Sequence, residues 1–304
     1  MEVYAAPALF ALMLWWWSTG AILWLVGMPR RSHPWTMAVA TGVLLPMALW
    51  GLLASGSEHS LFGTYLAFAS AIGLWAWHEM TFLFGYVTGP NTRPCNRAAK
   101  GFRRLVSASG TVIYHEVALA LTAGLLLWLL WSSPNQVGIW TFLVLWVMRL
   151  SAKLNVYFGV PNMTEEFLQP HLHYLTSYFR KGPVTPLFVL SVTGGTAGVA
   201  LMAWRALDPA TPLVETVGLV LAGTLLLLAV VEHWFLALPI RDAALWRWAL
   251  REAAPGIPIG ADADPKPAPL RLETRIRLPR SDRETGQKGE ARATLGQTRV
   301  SAVG

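Results

Sequence analysis

The chain has 304 residues, 54% of them hydrophobic and 13% charged, with a net charge of +7. A soluble domain carries about 25% charged residues, so the composition excludes an ordinary soluble globule. The surplus cations sit in loops and the tail, where anionic lipid headgroups hold them, and are no sign of nucleic-acid binding. One cysteine, Cys95, excludes an intramolecular disulfide and a CxxC metal or redox motif.

About 20 apolar residues, rising ~1.5 Å each, cross ~30 Å of hydrocarbon. Stretches of that kind fall at 5–28, 35–54, 60–88, 105–131, 138–158, 184–204 and 213–238. The first follows no basic segment and continues to Met28, too long for a cleaved signal, so it reads as a retained helix. Trp15, Trp16 and Trp17 fall inside it, away from either interface. They pack on lipid or on neighbouring helices, or stack on a pigment ring.

Loops after the odd-numbered stretches are basic. Arg30 and Arg31 follow the first; Arg93, Arg97, Lys100, Arg103 and Arg104 follow the third; Arg180 and Lys181 follow the fifth; Arg241, Arg247 and Arg251 follow the seventh. The N-terminus and the loops at 56–60 and 132–137 have no Lys or Arg, and Arg205 is offset by Asp208 and Glu215. Short basic loops stay cytoplasmic, so the pattern predicts an all-α, polytopic transmembrane bundle of about seven spans with its N-terminus outside and its C-terminus inside.

The helical domain is expected over 1–252. Its last segment, 240–252, reads as a short interfacial helix with Leu245, Trp246 and Leu250 toward lipid. From Ala253 to Gly304 the chain is rich in Pro, Gly and charge without apolar periodicity, the composition of a disordered basic cytoplasmic tail.

Ionisable residues inside spans are costly and mark sites of interest. The third span carries His78 and Glu79, the fourth His115 and Glu116, the fifth Arg149, Lys153 and Asn155, and the seventh Glu232 and His233. Glu165, Glu166, His171 and His173 follow the fifth. Placed by depth, five of the seven histidines converge on the cytoplasmic half of the bundle.

Three readings of this cluster stand open. It is a buried ion-pair network, with Glu79, Glu116 and Glu232 offset by Arg149 and Lys153. Or it is a metal site of the di-iron carboxylate kind, with His78, His115, Glu116, Glu232 and His233 as ligands and Glu79, Glu165, His171 and His173 as additions. The usual spacing there is Glu-x-x-His, whereas these pairs are adjacent and about 100° apart on a helix. Or a histidine ligates a tetrapyrrole metal or relays protons. Glu165 and Glu166 also fit a helix start capped by Asn162. His171 and His173 would point about 160° apart on a regular helix, so at most one serves a given site.

The stretches HEMTFLFGYVTGPNTRPC (78–95), YHEVALAL (114–121) and RLSAKLNVYFGVPNMTEEFLQPHLHYLTSYF (149–179) resemble the PuhE-type photosynthetic-complex assembly proteins of anoxygenic phototrophic bacteria. The resemblance spans roughly 1–250 and departs from the family pattern at Thr185 and Val189. It implies a multi-pass protein of the cytoplasmic or intracytoplasmic membrane that helps to build reaction-centre and light-harvesting complexes or balances bacteriochlorophyll supply. Implied partners are their polypeptides, the enzymes of bacteriochlorophyll synthesis and membrane lipids. It assigns no reaction and no catalytic residue. The rival expectation is a membrane-embedded iron enzyme acting on a lipophilic pigment or isoprenoid. A proton-coupled transporter would need polar residues through the outer half, where few occur.

Overall fold

Apolar runs and the turns between them divide the chain into nine α-helices among the described residues, which in this computed structural model are 2–96, 98–163, 168–240 and 242–249. They are α1 (Glu2–Val26), α2 (His33–Val39), α3 (Leu45–Gly56), α4 (Leu61–Leu83), α5 (Gly101–Ser109), α6 (Ile113–Leu130), α7 (Val137–Phe158), α8 (Pro186–Leu207) and α9 (Leu213–Ala237). No strand occurs among the described residues, and the protein is an all-α helical bundle. The expected tail, 253–304, lies outside them.

Pro46 has no N–H to return to the preceding turn, and the backbone accommodates it through one π segment, Ala40–Leu44. The run Arg30–Gly56 is thereby continuous through α2 and α3. That run, α1, α6, α7, α8 and α9 are the six helices long and apolar enough to cross a membrane. The remaining long helix, α4, has 23 residues, packs against α1, α3, α7 and α9, and buries His78 and Glu79 along with its apolar positions. Being enclosed by other helices, it tolerates polar groups that a lipid-facing helix would expose.

The alternation of loops read from charge has a structural counterpart. At one end His33 stacks on Phe84 at 4.4 Å, Arg104 donates to the Tyr178 carbonyl at 2.7 Å, and Asn162 donates to the carbonyls of Phe235 and Leu238 at 2.9 Å each. These contacts tie together the segments that follow α1, α4, α7 and α9. At the other end Asn135 donates to the Ser55 carbonyl at 3.1 Å and Tyr4 reaches Ala206. Arg30, Arg31, Arg93, Lys100, Arg103, Arg180 and Lys181 all belong to the first end.

Three segments differ from the sequence expectation. The fourth stretch begins at Ile113, not at 105, because Gly110–Val112 breaks the helix and leaves α5 as a separate amphipathic helix with Phe102 and Val106 exposed. The third ends at Leu83: the chain then turns at Gly85 (φ +84°) and runs beside Gly110–His115, where Tyr114 and His115 both donate to the Thr88 carbonyl. Gly89 makes this possible, since a Cβ there would stand 2.2 Å from the Gly110 carbonyl oxygen. Finally, the segment expected as an interfacial helix is, where described, a 3-10 turn at Asp242–Trp246 laid along α1. Trp246 is buried rather than lipid-facing: it donates to the Trp16 carbonyl at 3.2 Å, and Trp16 donates back to Leu245 at 3.1 Å. Trp248 fills the notch at Gly20 and meets the rings of Trp16 and Trp17. The mid-span tryptophans thus receive a re-entrant strap.

Candidate functional site

Four of the ionisable side chains inside helices stand close to the ends of those helices. Glu79 is four residues before the end of α4, Glu116 three after the start of α6, and Lys153 and Glu232 five before the ends of α7 and α9. At ~1.5 Å per residue this is a common level roughly 5–8 Å from the arginine-rich ends. Arg149 lies one turn deeper than Lys153, on the same face of α7. The antiparallel packing of α4, α6, α7 and α9 turns these five groups onto one cavity.

That cavity has a volume of about 600 Å³. Its deeper walls are apolar, from Trp15 of α1, Trp75 of α4, Met148 of α7 and Leu225 of α9. Toward the arginine-rich end it is closed by Leu105 of α5 and by Leu175 and Phe179, while Trp246 of the strap forms part of one side. Between these apolar regions runs the belt of Glu79, Glu116, Arg149, Lys153 and Glu232. A space of this size, mostly apolar with a few converging polar groups, is the form taken by sites for small lipophilic molecules.

The belt is paired across helices. Lys153 Nζ donates to Glu116 Oε1 at 2.6 Å, and the other oxygen of Glu116 accepts from Trp146 Nε1 at 3.2 Å. The ammonium also lies 5.3 Å from the centre of the Phe82 ring. Glu79 pairs more loosely, its Oε1 3.7 Å from Arg149 Nε. The expectation of carboxylates offset by Arg149 and Lys153 therefore describes Glu79 and Glu116 as they stand.

The histidines lie behind the cavity walls. His78 bonds Thr122 Oγ1 of α6 at 3.0 Å. His115 is fully buried, with Phe82, itself a cavity wall, tilted against its ring at 4.7 Å. His233 joins a hydrogen-bonded chain that links α9, α7 and α8. Its Nε2 meets Ser151 Oγ at 2.9 Å, Ser151 donates to Ser191 at 2.8 Å, and Asn155 donates to Ser191 at 3.1 Å. Outside the spans, His171 packs on Gly85, and burial, aided by the nearby Arg30 charge, lowers its pKa below the ordinary 6.5. His173 is exposed and meets the Leu168 carbonyl at 3.2 Å.

Of the ligand set expected for a metal, Glu116, Glu232 and the additional Glu79 line the cavity, while His78, His115, His233, His171 and His173 are not among its lining residues. Among the described residues no three His, Cys, Asp or Glu stand together so as to hold a metal ion. The physical reason is the adjacency noted in the sequence: with about 100° between neighbours, the carboxylate of each pair reaches the cavity while the imidazole turns into a helix interface. Glu165 and Glu166 lie outside the described residues. Sequence reasoning missed the cavity itself, the Trp146 donor to Glu116, and the strap; the tryptophan-rich 244–248 segment was the one signal for the last.

The family described as "Protein of unknown function (DUF3623)" matches residues 1–256. A Rhodobacter capsulatus protein described as an uncharacterized 30.4 kDa protein in the puhA 5′ region is 37% identical over 272 residues, covering 87% of this chain and 96% of the relative. No solved structure matches the chain.

Proposed function

The chain belongs to the DUF3623 family, and from that kinship and its charged-belt cavity we propose a non-enzymatic, PuhE-type factor that serves the building of photosynthetic complexes by holding a lipophilic cargo. Its place is the cytoplasmic or intracytoplasmic membrane of a phototrophic bacterium, with the arginine-rich end in the cytoplasm. The cargo is bacteriochlorophyll or a related amphiphile, passed between pigment-synthesis enzymes and reaction-centre or light-harvesting polypeptides.

The cavity of about 600 Å³ carries this reading. It is walled by apolar and tryptophan side chains, with Glu79 and Glu116 already ion-paired to Arg149 and Lys153, so an apolar body is accommodated without breaking either pair. The location of a relative in the puhA 5′ region supports a link to photosynthesis. The rival reading, an iron-dependent membrane oxidoreductase, finds no converging ligand set among the described residues.

Deletion of the gene in a phototrophic host tests the proposal. Assembled reaction centres should fall while pigment synthesis continues, and the wild-type chain should restore them. Ala152 of α7 lines the cavity, and a cavity-filling Ala152→Trp variant, accumulated to the wild-type level, should not restore them. Build-up of one biosynthetic intermediate ahead of any assembly defect would contradict the reading and favour an enzyme.

A further inference from the structure

The short helix α5 presents unlike faces. Phe102, Arg103 and Val106 share its outer side, with Phe102 77% and Val106 54% exposed, while Leu105 and Ala108 on the inner side roof the cavity. The helix is fastened through Tyr178. Arg104 donates to the Tyr178 carbonyl at 2.7 Å, and the Tyr178 hydroxyl meets Ser107 Oγ at 3.0 Å and donates to the Arg93 carbonyl at 3.1 Å. Arg104 is further held over the Tyr157 ring at 4.4 Å. These contacts bring the chain around 93, 100–104 and 178–181 side by side.

Arg104 is thus committed to the fold, and the cations around it are not. Arg93, Lys100, Arg103, Arg180 and Lys181 are exposed, and none makes a side-chain hydrogen bond or ion pair among the described residues. Nor does the sequence supply local counter-charges: no Asp or Glu lies between Glu79 and Glu116 or between Glu166 and Asp208. In water Phe102 and Val106 would remain solvated apolar surface, and in hydrocarbon the cations beside them would be stranded. The boundary between acyl chains and phosphates satisfies both demands.

We propose that the outer face of α5, with the cations around it, is a binding site for an anionic phospholipid of the surrounding leaflet. Phe102 and Val106 lie against the acyl chains, and Lys100 and Arg103 take the phosphate. A zwitterionic headgroup brings the same phosphate with an ammonium that cancels its charge, so the site prefers a lipid of net negative charge. The lipid also pins α5 in place as the roof of the cavity. The site is on the outside of α5, so it does not depend on what the cavity holds.

Dioleoyl phosphatidylglycerol and dioleoyl phosphatidylcholine share their acyl chains and differ in headgroup charge. Offered together at equal concentration to the purified full chain in detergent, with complexes counted by native mass spectrometry, the glycerol lipid should be retained roughly tenfold better by the wild type. Each cation near an anionic surface is worth about fivefold. Lys100→Gln combined with Arg103→Gln should therefore lower its retention roughly 25-fold and leave the choline lipid nearly unchanged. Arg30→Gln combined with Arg31→Gln removes the same charge at the same end of the bundle, from the segment after α1, and should matter far less.

Equal retention of the two lipids by the wild type would overturn the proposal, with no variant needed. So would a preference untouched by the Lys100 and Arg103 changes, or a loss as deep from the Arg30 and Arg31 changes, which would mean a diffuse field in place of a site. Release of the lipid by excess inorganic phosphate would reduce the face to an ion site, and release by polyglutamate would make it a surface for an acidic protein; either result contradicts a lipid occupant.

Discussion

Replacing Glu116 by Ala should destabilise the bundle far more than the same change at Glu58, though each removes one carboxylate. At 2.6 Å from Lys153 Nζ, unit charges attract by about 6 kcal/mol at an effective dielectric of ~20, a gross term mostly offset by desolvation of both groups. Deleting one partner leaves the offset without the attraction. Among the described residues, Lys153 would keep the face of Phe82, 5.3 Å away. Breaking a buried pair costs roughly 3–5 kcal/mol, and because a quarter of the Lys153 side chain is exposed the lower figure applies here, ~3 kcal/mol, or about a hundredfold in the unfolding equilibrium. Glu58 is exposed and meets Ser60 Oγ at 3.2 Å, so its loss should stay within about 0.5 kcal/mol. Reversible unfolding by SDS in mixed micelles, followed by helical circular dichroism, measures both. Lys153→Met added to Glu116→Ala should recover much of the loss, since no charge is then left unpaired. Equal unfolding of the two single variants, or a double variant as damaged as the sum of its parts, would refute the pairing.

Other consequences can be checked singly. Gly89→Ala should cost about 3 kcal/mol, because the new methyl would stand 2.2 Å from the Gly110 carbonyl oxygen, whereas Gly124→Ala meets nothing within 4 Å and should be neutral or slightly stabilising; SDS unfolding separates them. Gly20→Val should expel Trp248 from its notch on α1 and speed trypsin cleavage after Arg247, and an unchanged cleavage rate would mean that the strap is held by other contacts. His171, its pKa lowered by burial and by Arg30, is neutral in the folded chain at pH 7. Below pH 6.5 the unfolded chain takes up that proton first, so stability should fall with acidification through the ordinary histidine range, and His171→Gln should flatten that fall in melting curves.

Much of this architecture was legible because the bilayer dictates it. Span length and the arginine alternation located the long helices and placed the segments after α1, α4, α7 and α9 at one end. That Glu79, Glu116, Lys153 and Glu232 gather toward the arginine-rich end was legible, but the depth was not. With helix ends read at 88 and 105, Glu79 and Glu116 stand roughly 15 Å deep, whereas α4 ends at Leu83 and α6 starts at Ile113, which brings them level with Lys153 and Glu232. What could not be read were contacts that depend on rotation and re-entry. Adjacent His–Glu pairs do not announce which member faces inward, and here the carboxylates reach the cavity while His78 and His233 bond Thr122 and Ser151. The break at Gly110–Val112 was hidden by the apolar residues on both sides of it. The strap was hidden because a Trp-rich amphipathic segment after a last span reads equally as a surface helix, and nothing in the apolar run of α1 marks Gly20 as the notch that seats Trp248.

Analysis of what co-purifies with the chain from its own membranes bears most directly on the cavity. Solvent extraction of the detergent-purified protein, followed by mass spectrometry, should yield one non-phospholipid amphiphile in near-stoichiometric amount from the wild type and little from Ala152→Trp. Bulk phospholipid alone, in equal amounts from both, would contradict the account.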